Sequence, residues 1–206
     1  MKTIAVLNAK GGCGKTTLST HLAVALSRSG VATTLADLDR QKSALRWHAL
    51  RPEGAFPVKA VDWTQNIGGG VKKSARVVLD CPAALRGARL EDIVATAEAV
   101  VVPVLPSVFD EMATARFLGR LARIKSLRKG RKGLHVIANR VRAGSRAMAR
   151  LTEFAENRDL IFTAILSERA LYGDLATRGL TLFDLNTKAA AALIEEWMPL
   201  LTALED

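Results

Sequence analysis

The 206-residue chain is short of cysteine, aromatic residues and acids, and each shortage removes a class of protein. Cys13 and Cys81 are the only cysteines, too few for a disulfide framework, which points to a reducing compartment. Aromatic residues make up 5%, with a single tyrosine, and none interleaves with basic residues as stacking on single-stranded nucleic acid requires. No apolar run approaches the roughly twenty residues of a membrane-spanning helix. No charged leader followed by an apolar stretch opens the chain, so nothing suggests secretion. His21, His48 and His135 lack metal-ligand spacing and read as structural. Twenty acids stand against thirty Lys and Arg, a formal net charge of +10. One bound nucleotide accounts for about two or three positive residues, so the excess implies a polyanionic partner, nucleic acid first and an anionic membrane surface second.

What the chain has is apolar runs alternating with amphipathic segments, and 49% hydrophobic residues to fill a core. Strands are expected near Thr3–Leu7, Ala32–Ala36, Val77–Leu79, Val100–Val104, Leu134–Ala138 and Ile161–Ile165. Helices are expected near Thr16–Ser29, Leu90–Ala97, Asp110–Ser126, Arg146–Asn157 and Glu168–Thr177. This alternation predicts an α/β fold, a single domain over residues 1–206 with a mainly parallel twisted sheet flanked by helices. Arg51 to Ser74 is the least regular stretch, with an edge strand expected around Val58–Val61 and a mobile loop ending in Lys72 and Lys73. Thr187 to Leu204 reads as a helix broken or bent at Pro199.

Directly after the first apolar run comes KGGCGKTT, Lys10 to Thr17. Glycines permit the tight turn that aims backbone N–H groups at phosphate oxygens, here from Gly11, Gly12, Cys13 and Gly14 to Lys15. Lys15 supplies a point charge to the β/γ-phosphates, and the Thr16 hydroxyl is placed for Mg²⁺. ADLDRQ follows the second strand with Asp37 and Asp39, and LDCP follows the third with Asp80. One such strand-end carboxylate holds Mg²⁺, often through water, while another orients an attacking water. Ligands collect at the carboxyl ends of strands in such sheets, so loop and acids converge on one rim. Helix capping is the competing role, and it weighs most at Asp37.

KGGCGKTT with Lys10, then DLDRQ, then VVLDCP, resembles the deviant Walker A ATPases of the ParA/MinD group. VVPVLPSVFDEMA (Val101–Ala113), VIANRV (Val136–Val141) and TAILSERALYGDLATRGLTLFD (Thr163–Asp184) extend the resemblance to ParA partition ATPases over essentially the whole chain. The resemblance implies a phosphate-loop fold, ATP and Mg²⁺ as cofactors, and slow, partner-stimulated ATP hydrolysis. It implies that Lys15 and Thr17 bind phosphate within the subunit, with Thr16, Asp39 and Asp80 around the metal. Asp39 would position the hydrolytic water, and Asn139 would bind adenine. Lys10 would reach across a homodimer to the partner's nucleotide, making Lys10, Lys15 and Asp39 the catalytic set. Arg40 departs from the proline usual in the family, freeing the backbone and adding a charge there.

Arg116, Arg120 and Arg123 fall within about 60° of one helical face, opposite Phe117, Leu121 and Ile124. Lys125, Arg128, Lys129, Arg131 and Lys132 follow, and Arg142, Arg146 and Arg150 form a second stripe. The chain carries no helix-turn-helix ahead of Lys2, so it resembles the short ParA form, whose DNA binding is non-specific. The expected protein is therefore a cytoplasmic, nucleoid-associated ATPase that dimerises on ATP and contacts double-stranded DNA. It would meet a cargo adaptor or ParB-like centromere-binding protein and move a plasmid, chromosome locus or protein assembly. The alternative is a MinD-like membrane-surface ATPase, disfavoured because the C-terminal AALIEEWMPLLTALED is acidic where a membrane helix is basic. A metabolic phosphate-loop ligase or metal-cluster reductase is disfavoured because Cys13 and Cys81 sit in nucleotide loops, and a GTPase because no NKxD sequence occurs.

Overall fold

The computed structural model describes residues 2–68, 71, 76–83, 85–128 and 132–205. Lys72, Lys73, Lys129 and Arg131 lie outside them. In chain order the strands are β1 (Thr3–Val6), β2 (Thr33–Asp37), β3 (Lys59–Asp62), β4 (Arg76–Asp80), β5 (Ala99–Val104), β6 (Gly133–Val141) and β7 (Phe162–Ser167). The helices are α1 (Lys15–Arg28), α2 (Ser43–Ala49), α3 (Gly87–Thr96), α4 (Val108–Leu121), α5 (Lys125–Arg128), α6 (Arg146–Glu156), α7 (Ala170–Ala176), α8 (Lys188–Glu195) and α9 (Met198–Glu205), with a 3₁₀ turn at Leu182–Asp184.

The strands form one sheet in the order β3-β2-β4-β1-β5-β6-β7, and every neighbouring pair is parallel. The inner strands read TIAV, RVVLD and AVVVPV, apolar at consecutive positions, because both faces are covered. Ile4, Val6, Val78, Val101 and Ile137 point to one layer, where they pack on Leu18 and Leu22 of α1, Leu175, Leu193, Trp197 and Leu200. Ala5, Leu7, Leu79, Val100 and Val102 point to the other, against Leu90 and Ile93 of α3, Phe117 and Leu121 of α4 and Leu151 and Phe154 of α6. The period of two along each strand sorts the side chains into these two cores.

The sheet and its edge strand stand as expected. Three elements differ. The expected helix over Asp110–Ser126 starts earlier, at Val108, and stops at Leu121, with α5 a separate turn. The C-terminal helix breaks at Glu196 and Trp197 and not at Pro199, which sits in the first turn of α9, where a missing N–H costs nothing. Helix α2 was not anticipated. Because all strands run the same way, their carboxyl ends share one rim, and the register places Val6, Asp37 and Asp80 level with one another.

A candidate nucleotide site at the carboxyl rim

The loop from β1 to α1 is held from below. The Asn8 side chain donates to Pro103 O at 2.7 Å and Thr114 Oγ1 at 3.0 Å, while its oxygen accepts from the Lys10 amide at 3.2 Å. Gly12 and Gly14 take φ of 77° and 93°, left-handed values that L side chains rarely adopt. A Cβ on Gly14 would sit 2.4 Å from Asn139 Nδ2, and that same nitrogen donates to Cys13 O at 2.8 Å. Gly14 is the N-cap of α1 and supplies no side-chain acceptor, so the first amides of a fourteen-residue helix face the loop's concavity. Lys15 is buried there, its ammonium 2.8 Å from Lys10 O. Thr17 lies at the same mouth, next to the cleft described below.

The three acids divide their work. Asp80 is buried and accepts from Thr16 Oγ1 at 2.8 Å, and Ser19 Oγ lies 3.1 Å from its other oxygen. Burial raises its pKa to about 7, helped by the nearby charge of Asp37 and opposed by the hydroxyls and Lys15. Asp37 is wholly buried and accepts from the amides of Asp39, Ala44 and Leu45 at 2.9, 3.0 and 3.1 Å. It caps α2 and the turn before it, the structural role that sequence alone left open. Asp39 is half-buried, with Oδ1 accepting from the Gln41 amide at 3.0 Å, and it leaves its other oxygen without a partner among the described residues. Both cysteines are buried and free, and burial pushes both thiols up in pKa.

Beside the loop opens a cleft of about 590 Å³. It runs from Gly12, Gly14 and Thr17 past Asn139, Arg140 and Arg142 to Ser167, Glu168, Tyr172 and Trp197. His21 backs it, stacked on Trp197 at 5.1 Å, with Nδ1 2.8 Å from Thr17 O and Nε2 accepting from the Leu182 amide at 3.3 Å.

A glycine cradle at a helix N-terminus, a buried lysine inside it and a Thr–Asp pair at its floor are the parts of a phosphate-loop nucleotide site. The family model for the CobQ/CobB/MinD/ParA nucleotide-binding domain matches residues 4–182. The chain belongs to this family. It is 30% identical over 203 residues to the maintenance of carboxysome distribution protein A of Halothiobacillus neapolitanus, covering 94% of this chain and 92% of that one. Its fold is similar to a putative plasmid partition protein of Borrelia burgdorferi bound to AMPPNP, with TM-score 0.75, 16% identity and coverage of 99% and 98%. It is similar likewise to MinD of Aquifex aeolicus, with TM-score 0.71, 19% identity and coverage of 98% and 97%.

For this ParA/MinD-type ATPase, the residues fit a nucleotide and Mg²⁺. The cradle excludes a Cβ at Gly14, and Thr16 and Asp80 are already joined. Among the described residues no three His, Cys, Asp or Glu side chains cluster as a metal cage. Mg²⁺ needs no such cage, since it keeps waters and takes phosphate oxygens. Asn139 is buried and spends its amide on the loop backbone, a support role that sequence reading missed. Ser19, one turn after Thr16, was missed as well, although its spacing on α1 was a usable signal. Apart from Arg142, the expected DNA residues lie away from the cradle, on or beside the layer of α3, α4 and α6. Arg116, Arg123 and Arg146 are exposed, and Arg120 is half-buried over the Phe117 ring at 5.6 Å. Arg142 is exposed but borders the cleft, paired to Glu168. Arg150 donates to buried Glu111 and to Pro106 O, tying α6 to the start of α4.

Proposed function

We propose that the chain is a Mg²⁺-dependent ATP hydrolase whose nucleotide state switches it between monomer and dimer and thereby on and off DNA. The observation that carries this reading is the arrangement around the cradle. Lys15 lies inside it, Thr16 is on Asp80, and among the described residues the Lys10 ammonium makes no hydrogen bond or ion pair. A lysine side chain that the local fold does not engage, at the opening of a phosphate loop, is available to a nucleotide in a second subunit. ATP and Mg²⁺ would supply the bridging phosphates and the charge neutralisation. Lys15 would bind phosphate in its own subunit, Thr16, Asp39 and Asp80 would surround the metal, and Asp39 would position the attacking water.

Exposed arginines on α4 and around α6 support non-specific contact with double-stranded DNA, which needs phosphate neutralisation alone. Arg116, Arg120, Arg123, Arg142, Arg146 and Arg150 are the residues assigned to it. A cargo-bound adaptor would stimulate slow hydrolysis and release the dimer, so that the cargo is positioned over the nucleoid in the cytoplasm. The relative from Halothiobacillus neapolitanus, named for carboxysome distribution, favours a protein assembly as cargo over a plasmid or chromosome locus with a ParB-like partner. A MinD-like membrane role is weakened because Leu200 and Leu204 of the C-terminal helix are buried in the core. Among the described residues no helix is long and apolar enough to cross a membrane.

The test is ATP turnover with Mg²⁺ beside co-sedimentation with random-sequence duplex DNA. The proposal expects slow hydrolysis and DNA binding that requires ATP. DNA binding indifferent to nucleotide would overturn the switch.

A further inference from the structure

Two strand ends line the cleft beside the cradle, that of β6 continued to Arg142 and that of β7 continued to Arg169. One carboxylate joins them. Glu168 accepts from Arg140 Nη2 at 3.1 Å and from Arg142 Nε at 2.5 Å, and its own amide donates to Val141 O at 2.9 Å. The residue before it is anchored too: the Ser167 amide and hydroxyl both donate to Glu196, at 2.7 and 2.5 Å. Arg140 reaches Glu168 from a φ of 55°, a left-handed backbone in a residue that has a Cβ. The side chains of Arg140 and Arg142 are 55% and 77% exposed against 30% for Glu168, so the carboxylate is the sheltered member. The two guanidiniums keep its pKa below the usual glutamate value, and it stays ionised.

Glu168 is the one carboxylate among the described residues that line the cleft; its two arginine partners leave the mouth net positive for a polyanion, and its acceptor oxygens suit the part of the ligand that donates hydrogen bonds. In a nucleoside triphosphate those donors are the ribose hydroxyls and the base amino group, and an acidic residue on the ribose hydroxyls is a recurrent solution in parallel-sheet nucleotide sites. Ion pairs as exposed as these are weak and exchange partners at little cost. We propose that Glu168 reads the ribose of the bound nucleotide, with Arg140 and Arg142 as its partners when no ribose is present. This rests on the nucleotide reading above and adds a specificity-determining residue to it.

The test compares ATP with 2′,3′-dideoxy-ATP by calorimetric titration of the full chain in Mg²⁺, for wild type, Glu168→Ala and Glu168→Gln. Wild type should prefer ATP by about tenfold, the size expected for hydroxyl bonds to a carboxylate. Glu168→Ala should bind both nucleotides alike, and Glu168→Gln, which keeps an acceptor oxygen, should retain part of the preference. Thermal unfolding of each variant checks that it is folded, as expected for a half-buried rim residue. Equal affinity of wild type for both nucleotides, or full discrimination in a folded Glu168→Ala, overturns the ribose role and leaves the ATP reading standing. Failure of wild type to bind ATP at all overturns both.

Discussion

Gly14 carries two independent constraints, a φ of 93° and an approach of 2.4 Å between a would-be Cβ and the Asn139 amide. Gly14→Ala should therefore abolish ATP binding, measured with a fluorescent nucleotide. Gly30, also at positive φ but with nothing within 4 Å of its Cβ position, should tolerate alanine with ATP binding intact and a loss of about 1 kcal/mol in stability. His21 offers a pH test. Burial pushes its pKa down to about 4, whereas the unfolded imidazole titrates near 6.5. Between those values the unfolded chain takes up the proton and the folded chain does not. The contribution is thus complete above pH 6.5 and lost as the pH falls toward 4. The stability advantage of wild type over His21→Gln, from urea unfolding, should shrink by about 3 kcal/mol between pH 7 and pH 4. Subtracting the variant removes Asp80, whose raised pKa acts in the opposite direction. An advantage that stays constant would show that His21 titrates normally in the fold. Sequence spacing marked the cradle residues and the structural character of His21. It gave no sign that His21 backs the nucleotide cleft, because its partners Trp197 and Leu182 are more than 160 positions away.

At the scale of elements, the proposal assigns Asp37 and Asp39, two residues apart, to structure and to chemistry. Asp37 receives three backbone amides and fixes α2, so Asp37→Ala should cost about 3 kcal/mol in unfolding free energy. Asp39→Ala should leave stability within about 0.5 kcal/mol while ATP hydrolysis stops and ATP binding persists. Equal destabilisation by the two would contradict this division. Most strands were legible because they centre on short apolar runs bounded by loop residues; β3, which reads KAVD, was expected one residue early, around Val58–Val61. Helix α2 was hidden because SALRWHA is short, has no acidic first turn and begins behind Lys42 in a left-handed conformation. What holds it lies elsewhere: Asp37 at one end, and at the other Trp47 Nε1 on Leu180 O and Arg51 on buried Asp184. Contacts of that range leave no local periodicity to read.

For the whole molecule, exposed charge is mixed on both helical layers. Arg86, Arg89, Arg116, Arg123, Arg146 and Arg158 are exposed on or beside α3, α4 and α6 together with Glu91, Asp92, Glu153 and Glu156, and the opposite layer exposes Arg28, Arg46, Arg169 and Arg178 beside Asp174, Glu195 and Glu205. If the arginines around α4 and α6 meet DNA, replacing Arg142 and Arg146 together by alanine should weaken binding equally for all sequences. It should also reduce the slope of log K against log salt by about two. Unchanged binding would move the contact to another face. The proposed switch requires ATP to join two copies through Lys10. Light scattering in Mg²⁺ with a non-hydrolysable ATP analogue tests it most directly. Wild type should double its mass, and Lys10→Ala should bind the analogue yet remain a monomer. A wild type that stays monomeric at saturation, or a Lys10→Ala that dimerises normally, would contradict the account.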